Sequence, residues 1–341
     1  MLATAQAIAD CFAVRPAAPV GPLRCKTGDE SPVGWIFRAG VWKPRTSPHT
    51  FQGAGEEALA WLQEVKQLCG VPVATEVATP EHVEAALRAG IDYLWIGARS
   101  SANPITVEAI SRQLSDIRNL NTEGSKLKAV LIKNPVNADA ALWLGNIERL
   151  EQTGVPVIAV HRGCGHKPCW SMAHAVRTAR PDIPMLLDPS HMSGDAARVP
   201  ELLKKVEELG LDGAMIEVHN NPAVALSDKA QQVKPSAISR QLSEIKKLNA
   251  ECSKLNAIEL NWLRAEIDEI DDALWATIAA RMDVSRRIGE WKKAHGVAPL
   301  QPERAKVIGE RLKAKGEKLG LDNDFVEQVW NCIHEQSLKQ Q

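Results

Sequence analysis

Residues 71–98, VPVATEVATPEHVEAALRAGIDYLWIGA, decide the fold. Residues 71–77 form an apolar run, residues 80–89 carry apolar side chains at helical spacing, and residues 93–98 form a second apolar run. Strands that are apolar throughout and alternate with helices indicate a parallel sheet covered on both faces. The alternation continues on either side of this stretch. Strand-like phrases recur at 35–41, 129–133, 155–161, 185–188 and 214–218, with helical segments at 55–69, 138–152 and 196–209. Seven such strands in about 200 residues approach the repertoire of a (β/α)8 barrel.

Polar residues gather where these strands end: Lys43-Pro44-Arg45, Thr75-Glu76, Gly97-Ala98-Arg99, Lys133-Asn134-Pro135, His161-Arg162-Gly163, Asp188-Pro189-Ser190-His191 and Glu217-Val218-His219. In a barrel the C-terminal strand ends make up one face, and that face carries the active site. The most concentrated stretch is 36–48, IFRAGVWKPRTSP, where an apolar run opens into Lys43, Arg45, Thr46 and Ser47, with Arg38 five residues before Lys43. Alternate residues of a strand share a face, so Arg38 and Lys43 converge only across a local twist or bulge. Three cations and two hydroxyls suit an anionic, phosphorylated substrate. A basic turn facing water is the competing account of that stretch taken alone.

Composition narrows the class. A chain of 341 residues is long enough for two domains. Its 41 basic and 42 acidic side chains nearly cancel, giving no electrostatic reason to expect nucleic acid or a membrane surface as partner. No apolar run approaches the length that crosses a bilayer, and the first residues lack the basic start of a signal peptide. Seven cysteines without a regular framework read as reduced thiols, including Cys164 and Cys169 beside His166, and the expected setting is cytoplasmic.

At residues 41–48, 97–99, 133–135, 188–191, 217–219 and Ser227-Asp228 the chain resembles 3-deoxy-D-arabino-heptulosonate 7-phosphate (DAHP) synthase, in the subgroup related to the 3-deoxy-octulosonate 8-phosphate synthases. The resemblance covers roughly residues 35–235. It implies a (β/α)8 TIM barrel that condenses phosphoenolpyruvate with erythrose 4-phosphate. Arg38, Lys43, Arg99, Lys133 and Arg162 would hold phosphoenolpyruvate, and Lys43, Arg45 and Thr46 would position erythrose 4-phosphate. His191, Glu217 and Asp228 would bind a divalent metal ion, with Mn, Fe, Co or Zn suited to mixed imidazole and carboxylate donors. The family's first strand, ending in Gly-Pro-Cys, has no counterpart, and Gly21–Cys25 (GPLRC) is only an echo of it. The expectation is therefore a barrel short of its first strand, with a catalytically silent scaffold as the alternative reading.

Residues 109–127 and 237–255 match at 14 of 19 positions, both amphipathic, and are read as docking helices. Beyond 255 no strand pattern remains. Leu263, Ile267, Ile270, Leu274 and Ile278 form one helical stripe that Arg281 continues, and Lys292, eleven residues on, shares its face. Cations on an inward face call for an anionic partner. With Arg264, Gln301, Arg304, Ser337 and Gln341, this segment resembles the all-helical class of chorismate mutase over about 256–341. That implies an intertwined homodimer in which Arg264, Arg281 and Arg304 clamp the carboxylates of chorismate. Lys292 and Gln341 would donate to its ether oxygen, Gln301 and Ser337 would complete the site, and no cofactor is needed. Expected domains are a barrel at 1–235, a linker helix at 236–255 and a helical mutase at 256–341.

Overall fold

The computed structural model describes residues 1–5, 7, 35–45, 47–120, 127–238 and 255–340. It divides into two compact units, Met1–Glu266 and Ile267–Gln341.

In the first unit seven strands pair in chain order, every neighbour parallel: β1 (Phe37–Arg38), β2 (Val73–Val77), β3 (Tyr93–Ile96), β4 (Ala129–Lys133), β5 (Val157–His161), β6 (Met185–Leu187) and β7 (Gly213–Ala214). Between them run α1 (Glu57–Cys69), α2 (Pro80–Arg88), α3 (Ala98–Ser101), α4 (Pro104–Leu120), α5 (Ala140–Glu151), α6 (Trp170–Ala179), α7 (Pro189–Ser193) and α8 (Val199–Glu208). Among the described residues this is the expected parallel barrel sheet, with seven strands in order. Among the described residues β1 and β7 remain its two edges.

The strand period of two sorts side chains into two layers. Val73, Val77, Leu94, Ile96, Val130, Ile132, Val157 and Ala159 pack outward with the helices. Ala74, Tyr93, Trp95, Ala129, Leu131, Ile158, Val160 and Met215 form a separate inner cluster, with Ile36 and Leu186 against it. The helices present matching stripes, such as Ala58, Leu59, Leu62 and Val65 on α1. Thr79 caps α2 by accepting from the His82 amide, Asp139 caps α5 by accepting from the Leu142 amide, and α1 stops at Gly70, whose φ of 64° suits glycine.

The edge strands are shorter than the sequence suggests. After Arg38 the Ala39 amide still reaches Ala74 O at 3.1 Å, but the Val41 amide turns to the Thr75 hydroxyl at 3.2 Å. After Ala214 the Met215 amide bonds Leu187 O, and the chain then leaves β6 for a parallel bridge between Val218 and Val233. The expected free thiols at 164 and 169 are also corrected. The loop after β5 closes on itself through the Cys164 amide and Lys167 O, leaving Cys164 and Cys169 5.9 Å apart at Cα and joined as a disulfide. Cys332 is an exposed free thiol.

In the first repeat copy Ile110 and Leu114 are buried in the outer layer, so that helix docks on the sheet's exterior. Residues 121–126 and 239–254, the rest of that copy and most of the second, lie outside the described residues. Helix α9 (Leu255–Ala294) begins in the first unit. There Trp262 is buried edge-on to Trp170 and donates from Nε1 to Leu209 O at 3.0 Å. His174 stacks on Trp262 and bonds Glu266. The second unit consists of the remainder of α9 with α10 (Pro302–Lys318) and α11 (Asn323–Leu338). Gly316 allows α10 and α11 to approach, since a Cβ there would lie 2.6 Å from the Val326 side chain.

His161 faces outward at the end of β5, wholly buried between Trp143 and Trp170, and neither ring nitrogen has a hydrogen-bond partner among the described residues. Burial, with Arg162 nearby, pushes its pKa down from 6.5 to about 3. The unfolded chain takes up this proton near 6.5 and the folded one only near 3. Stability therefore falls as pH drops through that window, by about 1.4 kcal/mol per pH unit. His161→Phe is expected to flatten this slope in urea unfolding measured between pH 7 and pH 4, on the order of the window itself.

Candidate active site

The inner face turns from apolar to charged within one strand period. Ile36 is followed two residues later by Arg38, Ala74 by Glu76, Leu131 by Lys133, Val160 by Arg162, Leu186 by Asp188 and Met215 by Glu217. Each step of two keeps the side chain on the inner face, so six strands deliver six charged groups to the same mouth. β3 contributes Gly97, where a Cβ would lie 2.0 Å from the Glu76 carboxylate. Trp95 forms the floor beneath, with the Arg38 guanidinium 5.3 Å from its ring centre.

Lys133 Nζ lies 2.7 Å from Asp188 Oδ2, both side chains almost wholly out of water. Asp188 also accepts from the His191 amide and holds the His191 Nδ1 atom at 2.9 Å. Burial alone would raise the Asp188 pKa, but the charges of His191 and Lys133 hold it well below the usual range. Arg38 Nη2 bonds Glu217 Oε1 at 3.0 Å, and Gln232 Nε2 donates to Glu217 Oε2 at 2.8 Å. Glu217 is likewise lowered, against burial, by Arg38, His191 and Lys43. Arg45 grips Asp228 with two nitrogens at 3.1 Å each, and Lys43 bonds the same carboxylate and the Ser227 hydroxyl. Arg38 and Lys43 do converge, since both charges act on Glu76 and on Glu217.

Glu76, Asp188, Glu217 and Asp228 thus face Arg38, Lys43, Arg45 and Lys133, four carboxyl groups against four cations. Arg99 and Arg162 add the positive surplus. Burial, and the neighbouring Arg99, lower the Arg162 pKa while Asp188 opposes them, and Arg99 Nη1 reaches Pro44 O at 3.4 Å. Buried Asn134 ties two strand ends together by accepting from the Arg162 amide at 2.7 Å and donating to Gly163 O. The mouth is a basin for a small polyanion.

Two residues without an assigned role in the sequence reading sit at its centre. Glu76 is buried, and burial raises its pKa against the pull of Lys133, Lys43 and Arg38. Asp188 orients His191 and neutralises Lys133. The signal for both was present: each stands two residues beyond an inward apolar residue.

The donor set expected for a metal is only half assembled. His191 Nε2 is 3.9 Å from Glu217 Oε1, and the Asp188 contact to Nδ1 leaves Nε2 turned to Glu217, as a second carboxylate does for metal-bound histidines. This imidazole and carboxylate chemistry fits a divalent cation. Asp228, however, is held by Lys43 and Arg45, and among the described residues no three His, Cys, Asp or Glu side chains converge on a metal position. Thr46 and Cys25 lie outside the described residues.

In the second unit Arg281 bonds the hydroxyl of buried Ser337 and lies 5.7 Å from the Trp330 ring centre, with burial lowering its pKa. Lys292 donates to Pro299 O at 2.5 Å, Gln301 precedes α10 as its cap residue, and Arg304 is exposed on α10. Arg264 is exposed on the part of α9 that belongs to the first unit, and Gln341 lies outside the described residues.

Residues 17–254 match the family model for the DAHP synthetase I family, and residues 263–341 match that for chorismate mutase type II. The chain is 30% identical over 220 residues to phospho-2-dehydro-3-deoxyheptonate aldolase of Thermotoga maritima, covering 62% of this chain and 61% of that protein. A crystal structure of phospho-2-dehydro-3-deoxyheptonate aldolase (DAHP synthase) from Thermotoga maritima superposes with a TM-score of 0.53 at 28% identity, covering 62% of this chain and 60% of that one. The chain thus spans under two thirds of the length of either relative. It is also 36% identical over 75 residues to 4-amino-4-deoxychorismate mutase of Streptomyces venezuelae, covering 22% of this chain and 73% of that protein.

Lys133→Met strands the buried Asp188 carboxylate and is expected to cost about 3–5 kcal/mol in urea unfolding. Adding Asp188→Asn is expected to recover much of that loss, since the orphaned charge is then gone.

Proposed function

We propose, because the chain belongs to the DAHP synthetase I family and carries a chorismate mutase type II domain, that it is a bifunctional enzyme of aromatic biosynthesis. Its first unit would condense phosphoenolpyruvate with erythrose 4-phosphate, and its second would rearrange chorismate to prephenate. The observation that carries the first half is the ring of six inner-face charges with Arg99 and Arg162 as cationic surplus.

In this reading Arg99, Lys133, Arg162 and Arg38 bind the phosphate and carboxylate of phosphoenolpyruvate, and Lys43, Arg45 and Thr46 seat the phosphate of erythrose 4-phosphate. Bond formation from C3 of phosphoenolpyruvate to the aldehyde carbon requires a proton at the aldehyde oxygen and leaves C2 electron-poor, to be filled by water as inorganic phosphate departs and the 2-keto group forms. Glu76 is the carboxyl whose protonated form burial favours, and it lies among the cations that would hold the substrates. Asp188 keeps Lys133 and His191 in place through the cycle. A divalent cation, Mn, Fe, Co or Zn, would be held by His191, Glu217 and Asp228 and would supply Lewis-acid polarisation of the aldehyde. The cytoplasm is the setting we assign. Among the described residues no helix is long and apolar enough to cross a membrane.

For the second unit the support is Arg281 drawn inward onto Ser337. With Arg304, Lys292, Gln301 and Gln341, and with Arg264 reaching over from a second copy of the chain, it would fix the chorismate dicarboxylate in a reactive conformer, the one demand of a rearrangement that needs no acid, base or cofactor. Ile267, Ile270, Leu274 and Ile288 are exposed along one side of α9, an apolar stripe that suits a second copy of the chain. The kinship to a 4-amino-4-deoxychorismate mutase, with Ala305 standing where many chorismate mutases have a carboxylate, makes the amino analogue the second substrate to assay.

The test follows loss of phosphoenolpyruvate in the presence of erythrose 4-phosphate and Mn(II), and separately loss of chorismate. Both activities are expected, with a dimer in sedimentation equilibrium. Arg281→Ala should lower mutase kcat/KM about 100-fold or more and leave condensation unchanged. A chain that consumes chorismate but never phosphoenolpyruvate would mark the first unit as a scaffold.

A further inference from the structure

Asp228 is the one described residue other than glycine with positive φ, at 53°, in a region that Asp tolerates better than most side chains. That turn aims its carboxylate at Lys43 and Arg45. The Arg45 fork takes both oxygens and Lys43 takes one of them together with the Ser227 hydroxyl, the pattern by which these side chains hold a phosphate. All three side chains are more than four-fifths withdrawn from water, at 15–19% exposure. Asp228 thus fills an anion seat. The Lys43 ammonium is bonded to the Asp228 carboxylate and so stands where a metal cation would have to approach that carboxylate.

We propose that the Lys43–Arg45–Asp228 ion pair is an exchange latch: a phosphate dianion takes the two cations, a divalent cation takes the carboxylate, and each ligand therefore promotes binding of the other. The inference rests on the function proposed above and adds a linkage to it. The reason is desolvation. Phosphate alone leaves Asp228 withdrawn from water without a counter-charge, and a divalent cation alone leaves Lys43 and Arg45 in that state, each an unfavourable arrangement. The two together leave every charge compensated. Because coupling free energies are reciprocal, phosphate must tighten the metal by the same factor as the metal tightens phosphate.

The experiment measures Mn(II) binding to the full chain by electron paramagnetic resonance of the free ion, with and without inorganic phosphate, correcting against protein-free samples at each phosphate concentration. Phosphate is expected to tighten Mn(II) binding by about 5- to 150-fold, and Mn(II) to tighten phosphate equally in calorimetry. Asp228→Asn should bind phosphate more tightly than the parent and independently of Mn(II). Lys43→Gln should bind Mn(II) more tightly than the parent in the absence of phosphate, because only Arg45 then competes for the carboxylate. Mn(II) binding that ignores phosphate, or coupling that survives Asp228→Asn, overturns the latch while leaving the proposed function standing. No Mn(II) binding under any condition overturns both the latch and the metal assignment.

Discussion

Lys133 and Asp188 meet at 2.7 Å where water scarcely reaches, and the mouth of the sheet is built around them. A lone ammonium or carboxylate at either position would carry a large desolvation penalty. Paired, they let β4 and β6 end in charge while the rest of each strand stays apolar. The same carboxylate fixes His191, so one side chain holds two others in place. Arg38 with Glu217 repeats the solution at the sheet's two edges, linking the end of β1 to the chain beyond β7 by side chains where backbone pairing is absent among the described residues.

The strands were legible because both faces of a parallel sheet are buried, which forces continuous apolar runs that few other structures require. Their central members were read almost to the residue, as with Ala129–Lys133. The edges were not. A strand with a neighbour on one side only can end early, and β1 and β7 keep two residues each where the apolar pattern runs to seven and five. Hydrophobicity records burial, and Val41 is buried without being in a strand.

Of the site, the cations were legible and their partners less so. Arg and Lys at strand ends stand out against apolar sequence, whereas Glu76 and Asp188 acquire meaning only once the inward faces are known. Asp228 shows a deeper limit. Its residue type and context suggested a metal donor, but a carboxylate answers to whichever positive charge lies nearest, and that depends on where Lys43 and Arg45 come to rest. The Cys164–Cys169 bond was hidden for a similar reason, since a hairpin closure at Lys167 decides whether two nearby sulfurs meet. In the second unit the long helix was legible from its apolar stripe, but Ile267, Ile270 and Leu274 of that stripe lie exposed rather than inward, because no other element of the described residues covers them.

Trp262 sets where the chain can be divided. Its indole is 2% exposed, lodged against Trp170 and His174 and bonded to Leu209 O, so it is part of the sheet-bearing unit's own interior. A fragment ended before residue 262, at the point where the strand pattern stops, would leave a hole the size of a tryptophan and bare the aromatic wall around it. Such a truncation would expose sticky surface and invite aggregation, whereas ending at Glu266 would keep the plug. The last stretch of interior is thus supplied by the first turns of a helix that sequence pattern assigns to the neighbouring module.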